Sequence, residues 1–189
     1  MNFKKTVDRY HLASISLHWL MLALFIGVYA SINLRELFDK GSVPREGLKS
    51  LHFMLGLLIF GLVWLRLAMR AIFPAPQLQP APPPWQAMAA KLAHLALYAL
   101  MIGMPLLGWL ILSAAGKPIP FFGLELPALI GPDKALASQF KEIHEFVGTL
   151  GYFLIGAHAA AALFHHYFQR DNTLRSMWPK GRLSDSSPH

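Results

Sequence analysis

Cysteine is absent from this chain of 189 residues, and that absence removes several chemistries at once. There is no disulfide scaffold, no thiolate metal or redox site, and no Cys-x-x-Cys-His signature for covalent attachment of c-type haem. Charge is scarce too, at 14% of residues, while 54% are hydrophobic and mean hydropathy is positive. A water-soluble globule is therefore a poor description. With 12% aromatic residues there is ample apolar surface to bury, which excludes a disordered chain. Any metal must be held by nitrogen or oxygen, and nine histidines against ten acidic residues point to nitrogen.

What is present is long apolar runs. Four stretches, near 13–32, 51–72, 92–113 and 144–168, are apolar for about 20 residues, the length that crosses a bilayer core at roughly 1.5 Å per residue. They are hydrophobic all round and lack the alternation of a barrel strand. The expected fold is an all-α integral membrane bundle of four transmembrane helices. Lys40-Gly41-Ser42-Val43-Pro44, the proline-rich run Pro74 to Pro84 and the 116–132 segment resist helix continuation and read as loops. No internal repeat is evident, so residues 1–189 form a single membrane domain.

Lys4 and Lys5 ahead of the first run, with Val28-Tyr29-Ala30 after it, give that run the look of a cleavable signal. The chain carries it from Met1, and it is expected to remain as a span. Basic residues divide between alternate segments with a modest excess on the side that holds Lys4, Lys5, Arg9, Arg66, Arg70, Lys91, Arg170, Arg175, Lys180 and Arg182. The positive-inside rule then puts both termini in the cytoplasm, with loops 33–50 and 114–143 outside. The net charge of +7 sits largely on the cytoplasmic face, where it suits an anionic lipid surface and not nucleic acid.

Polar residues inside a span are costly and so become functional candidates, and His18, His52, His94, His144 and His158 lie in or just inside the spans. Fourteen residues separate His144 from His158 on the fourth helix. At about 100° per residue that is 1400°, about 40° short of four turns, so they share a face about 21 Å apart along the axis. His18 enters from the cytoplasmic side and His52 from the outer side. Two cross-helix pairs at matched depth follow: His18 with His158 inside, His52 with His144 outside. Iron in haem takes four nitrogens from the porphyrin and needs only two from protein, so two bis-histidine b-type haems account for all four.

Gly56, Gly148 and Gly151 lie one or two turns beyond these histidines. They leave room for a macrocycle or permit close helix packing, and both readings stand. His94 is a spare ligand, better read as bonding to a neighbouring helix or a haem propionate. His165, seven residues past His158, either donates to a quinone carbonyl or is a snorkelling interfacial histidine. His11, His166 and His189 read as interfacial or solvent-exposed.

The segment Ser16-Leu17-His18-Trp19, Leu51-His52 with Gly56, His144-Glu145 followed by Leu150-Gly151-Tyr152-Phe153, and the run from Gly156 through His158 and His165-His166 to Asp171-Asn172-Thr173-Leu174 carry a resemblance. From about Tyr10 to Pro179 the chain resembles the bacterial cytochrome b561 family, and its last helix is similar to the superoxide oxidase form of it. The resemblance implies a di-haem inner-membrane protein whose axial ligands match His18, His52, His144 and His158. It further implies electron transfer from periplasmic superoxide to ubiquinone, with His165 matching a residue near the quinone. The sequence departs in one place: loop 71–90 has no basic residue, and Pro82-Pro83-Pro84 stands where relatives are expected to carry a lysine near the quinone head.

An anionic substrate needs positive potential at the outer face, and Arg45, Lys49 and Lys141 flank His52 and His144 in sequence. Two rival readings differ in kind. One is a haem relay between a partner dehydrogenase and the quinone pool; the other is a non-haem transporter or structural bundle whose histidines relay protons or bind a metal ion.

Overall fold

A computed structural model describes residues 9–178. Lys4, Lys5, Lys180, Arg182 and His189, used above for orientation and exposure, lie outside the described residues. Four long helices dominate: α1 (Leu12–Leu34), α2 (Val43–Ile72), α3 (Pro84–Ala114) and α4 (Lys134–Phe164). All four are long and apolar enough to cross a membrane.

Three of them begin eight to ten residues earlier than the apolar runs. The reasons are local. Pro44 and Pro84 stand in the first turn of α2 and α3, where a missing N–H costs nothing and the fixed φ helps. Asp133 caps α4, its carboxylate accepting from Ala135 N at 2.9 Å and Leu136 N at 3.0 Å. The added turns bring in the charges Arg45, Glu46, Lys49, Lys91, Lys134, Lys141 and Glu142, so hydropathy alone misses them.

The 114–143 loop is not featureless. It holds a hairpin of β1 (Ile119–Phe121) and β2 (Leu124–Leu126), turned by Phe122 and Gly123 at φ 46° and 86°. Two successive positive φ angles make the tight turn whose twist matches paired strands. Ile119 is buried with Leu57 of α2 and Leu112 of α3, which pins the hairpin over one end of the bundle.

At the opposite end the two ends of the described chain meet. Tyr10 N donates to Ser176 O at 3.2 Å, and Trp19 Nε1 donates to Met177 O at 2.9 Å. Beyond α4 the helix widens into a π turn over His165–Gln169, Arg170 takes a left-handed conformation, and a short α5 (Thr173–Ser176) follows.

The helices pack in sequence order, α1 on α2, α2 on α3 and α3 on α4. The core is drawn from the first three: Met21, Ile59, Val63 and Met101 form its centre. Helix α4 contributes one buried residue, Gly151, and its backbone approaches neither α1 nor α2 closely. Open grooves of about 530 Å³ beside α3 and about 370 Å³ beside α1 flank it.

Candidate functional site

Across the gap between α4 and its two distant neighbours, four of the histidines face one another. The rings of His18 and His158 have centroids 6.3 Å apart with planes at 71°. Those of His52 and His144 are 6.1 Å apart at 70°. A metal–imidazole bond of about 2 Å, with about 1.1 Å from ring nitrogen to centroid on each side, gives about 6.2 Å for two imidazoles on one atom. Both pairs fit one iron held from two sides. Among the described residues no three His, Asp or Glu side chains gather to hold a bare metal ion. A pair of nitrogens with four more supplied by a porphyrin is the donor set that this arrangement suits.

Second partners orient the rings. His52 Nδ1 lies 3.0 Å from the Val28 carbonyl, so Nδ1 carries the proton and Nε2 keeps its lone pair, the usual state of a metal-binding histidine. On α3, Gly108 lies against His144, where an added Cβ would sit 3.7 Å from Nε2. His18 differs: Arg66 Nη2 donates to its Nδ1 at 3.1 Å. A guanidinium can only donate, so this bond and iron binding through Nε2 of a neutral ring are alternatives.

His94 is the third histidine of the inner cluster, 5.4 Å from His158 between centroids. That is short for two rings on one iron. Its Nδ1 bonds the Ala90 carbonyl of its own helix at 2.7 Å, which leaves Nε2 as the atom for any bond to a neighbouring helix or a propionate. His165 lies on the π turn, its Nδ1 2.6 Å from Asp171 Oδ2. His11 caps α1 and stacks on Phe73 with centroids 3.9 Å apart. His166 is half-buried, its Nδ1 lacking a partner among the described residues.

Of the three glycines that might make room for a cofactor, only Gly56 has open space beside it. Gly148 faces Met104, and a Cβ on Gly151 would strike the Tyr29 hydroxyl. The latter two serve helix packing, because Tyr29 crosses from α1 to reach α4 there.

The outer bases are each engaged. Arg45 pairs with Glu36 at 2.9 Å, Lys49 with Glu46 at 3.2 Å and Lys141 with Glu145 at 3.3 Å. Lys49 and Lys141 each have a carboxylate to themselves, whereas Glu36 serves two guanidiniums. Arg35, which sequence reasoning passed over, shares that same carboxylate, its Nε 3.0 Å from Glu36 Oε1. Arg66 and Asp171 were missed as well. Arg66 is a charge inside an apolar run, a signal counted only toward orientation.

The comparisons with known proteins decide the family. A model of the family described as "Prokaryotic cytochrome b561" matches residues 9–180. The chain belongs to the prokaryotic cytochrome b561 family. This b561 chain is 38% identical to "Cytochrome b561 homolog 1" of Escherichia coli (strain K12), over 92% of its own length and 99% of the relative's. It is 36% identical to "Probable superoxide oxidase CybB" of Yersinia pestis, over 92% and 98%. A third relative, "Cytochrome b561 homolog 2" of Escherichia coli (strain K12), is 33% identical over 95% and 96%. Family membership and the four apolar helices make it a multi-pass membrane cytochrome with b-type haem and an oxidoreductase role in electron transfer. That sets aside the non-haem transporter.

Proposed function

We propose that this b561 chain is a superoxide:ubiquinone oxidoreductase of the bacterial inner membrane, with both termini cytoplasmic. The reading rests on one observation above others: two histidine pairs, one at each end of a four-helix bundle, each spaced to take a single iron. His18 and His158 would hold an inner haem, and His52 and His144 an outer one. Bound there, b-type haem supplies one-electron carriage between the two faces.

The chain's own residues set the terms. Two histidines at each site would hold the iron from the protein side, and the group so held would supply outer-sphere electron transfer in preference to oxygen binding at iron. Arg66, whose Nη1 is buried without a partner among the described residues, is the cation that an inner propionate would meet. Arg35 and Arg45, sharing the single carboxylate of Glu36, leave the outer end a net positive charge toward an anionic donor. His165, where α4 ends, is the quinone contact. Overall, two superoxide ions each lose one electron to become dioxygen, and ubiquinone takes both electrons with two protons.

The test is to drive purified protein in detergent with a calibrated superoxide source under anaerobic conditions while recording haem absorbance and ubiquinol together. Rapid haem reduction followed by quinol formation is expected. A second reading has one observation in its favour: the outer bases Arg45, Lys49 and Lys141 are all ion-paired, leaving a weaker patch for a free anion. In that reading the chain is a relay between a partner dehydrogenase and the quinone pool. Haem that dithionite reduces but superoxide does not would favour it.

A further inference from the structure

The His165–Asp171 pair carries more than a contact. The residues after α4 do not continue an α-helix; they widen into a π turn, and such turns are frequent at functional sites. Arg170, at φ 54°, then reverses the chain, its own N–H and that of Asp171 both donating to the His165 carbonyl. That reversal brings Asp171 back under the His165 ring, with Oδ2 2.6 Å from Nδ1. Asp171 is only 4% exposed, and its Oδ1 accepts from Thr173 N at 2.9 Å. The turn is tied down in its turn. Asn172 Nδ2 donates to Gln77 O at 3.0 Å, and Gln79 N donates to Asn172 Oδ1 at 2.9 Å, joining it to the loop between α2 and α3.

A buried carboxylate on Nδ1 holds one tautomer, orients the ring and stabilises the imidazolium, which then carries a transferable proton at Nε2. Quinone reduction needs such a proton. We infer that Asp171 and His165 form a proton-delivery dyad for ubiquinone reduction, with His165 Nε2 as the donor and Asp171 as its positioning residue. This rests on the quinone reading above. As two electrons reach the quinone, an O–H bond forms at one carbonyl oxygen while the Nε2–H bond of His165 breaks. Water at the cytoplasmic surface restores that proton and protonates the other oxygen. The charged or titratable groups on the elements packed against the ring are His166, Tyr167, Arg170 and Asp171 of the turn, Arg175 of α5 and His158 seven residues back on α4; among the described residues only Asp171 bonds it.

The test follows reoxidation of pre-reduced haem by short-chain ubiquinone, across pH, in the purified holoprotein. Asp171→Asn keeps the shape and the acceptor for Thr173 but removes the charge. It should leave the haem spectrum as in wild type, slow reoxidation at least tenfold at neutral pH and move the pH profile to lower pH, with Asp171→Glu recovering most of the rate. His165→Gln should be slow at every pH. NMR of isotope-labelled histidine, read independently of turnover, should show the Nδ1-protonated tautomer of His165 in wild type and its loss in Asp171→Asn, whose amide nitrogen would face Nδ1. Wild-type rate and profile in Asp171→Asn, or an unchanged histidine spectrum, would overturn the dyad and leave the quinone reading standing. If ubiquinone never reoxidises the wild-type haem, the quinone reading fails and the dyad's role fails with it.

Discussion

The Tyr29 hydroxyl donates to the Gly148 carbonyl at 2.9 Å, spanning the gap between α1 and α4 that backbone packing leaves open. The same hydroxyl occupies the space beside Gly151 that any other side chain would fill. Asn33 Nδ2 donates to Tyr152 Oη at 2.6 Å nearby, so a small polar cluster ties two helices otherwise separated by the histidine pairs.

Gly151→Ala should therefore cost about 1–3 kcal/mol, the usual penalty for overpacking, and Tyr29→Phe about 1 kcal/mol for the lost hydrogen bond. In the Tyr29→Phe background the alanine should cost less, since the hydroxyl it strikes is gone. Thermal melts of the four proteins in detergent measure this coupling, and strictly additive losses would contradict it.

Replacing His18, His52, His144 or His158 with alanine should each lower haem per protein by about half, since in the proposed arrangement one of two haems would lose a protein ligand while the other site stays intact. The losses should group in pairs: one spectral component for His18 and His158, the other for His52 and His144. His94→Ala should retain both. Pyridine haemochrome titration with reduced difference spectra reads the result, and full haem content in any of the four would remove that residue from the ligand set.

Arg35→Gln should slow superoxide-driven haem reduction several-fold, because Arg35 and Arg45 share one carboxylate and their surplus charge would be lost, while Lys141→Gln changes it little, because Lys141 is exposed and has Glu145 to itself. Stopped-flow rates at two ionic strengths separate these effects. Equal rates for wild type and Arg35→Gln at low salt would show that Arg35 plays no part in steering.

Burial pushes the Asp171 carboxyl up, but the Thr173 amide and His165 outweigh it and hold it below its ordinary value of 3.8. A carboxyl depressed in the folded state contributes stability that is fully present above the unfolded-state value and lost as pH falls through the folded one. The wild-type melting temperature should thus drop on acidification below about pH 4, and Asp171→Asn should be less stable at neutral pH with a smaller acid-dependent drop. Parallel melting curves in acid would show that the carboxylate is not stabilising.

Sequence carried the four spans because the bilayer demands about 20 apolar residues whatever the packing. Helix ends were less legible: the apolar runs stop short of the first turns of α2, α3 and α4, whose starts depend on Pro44, Pro84 and Asp133 at the helix N-termini. The pairing of His18 with His158 and of His52 with His144 could be reached from depth arithmetic, because helical rise and alternating direction determine height in the membrane.

Position around each helix is another matter. Nothing in the linear order says that Gly151 accommodates a tyrosine and not a macrocycle, or that Arg66 reaches His18, or that the outer lysines and arginines pair off. The sequence by itself determined a four-helix membrane cytochrome with its histidines at two depths, since length, hydropathy and rise act along one axis. Only the tertiary structure decided that α4 stands away from α1 and α2, and that a π turn folds Asp171 back onto His165. Those relationships depend on helix rotation and on a chain reversal, and neither has a period that a sequence can display.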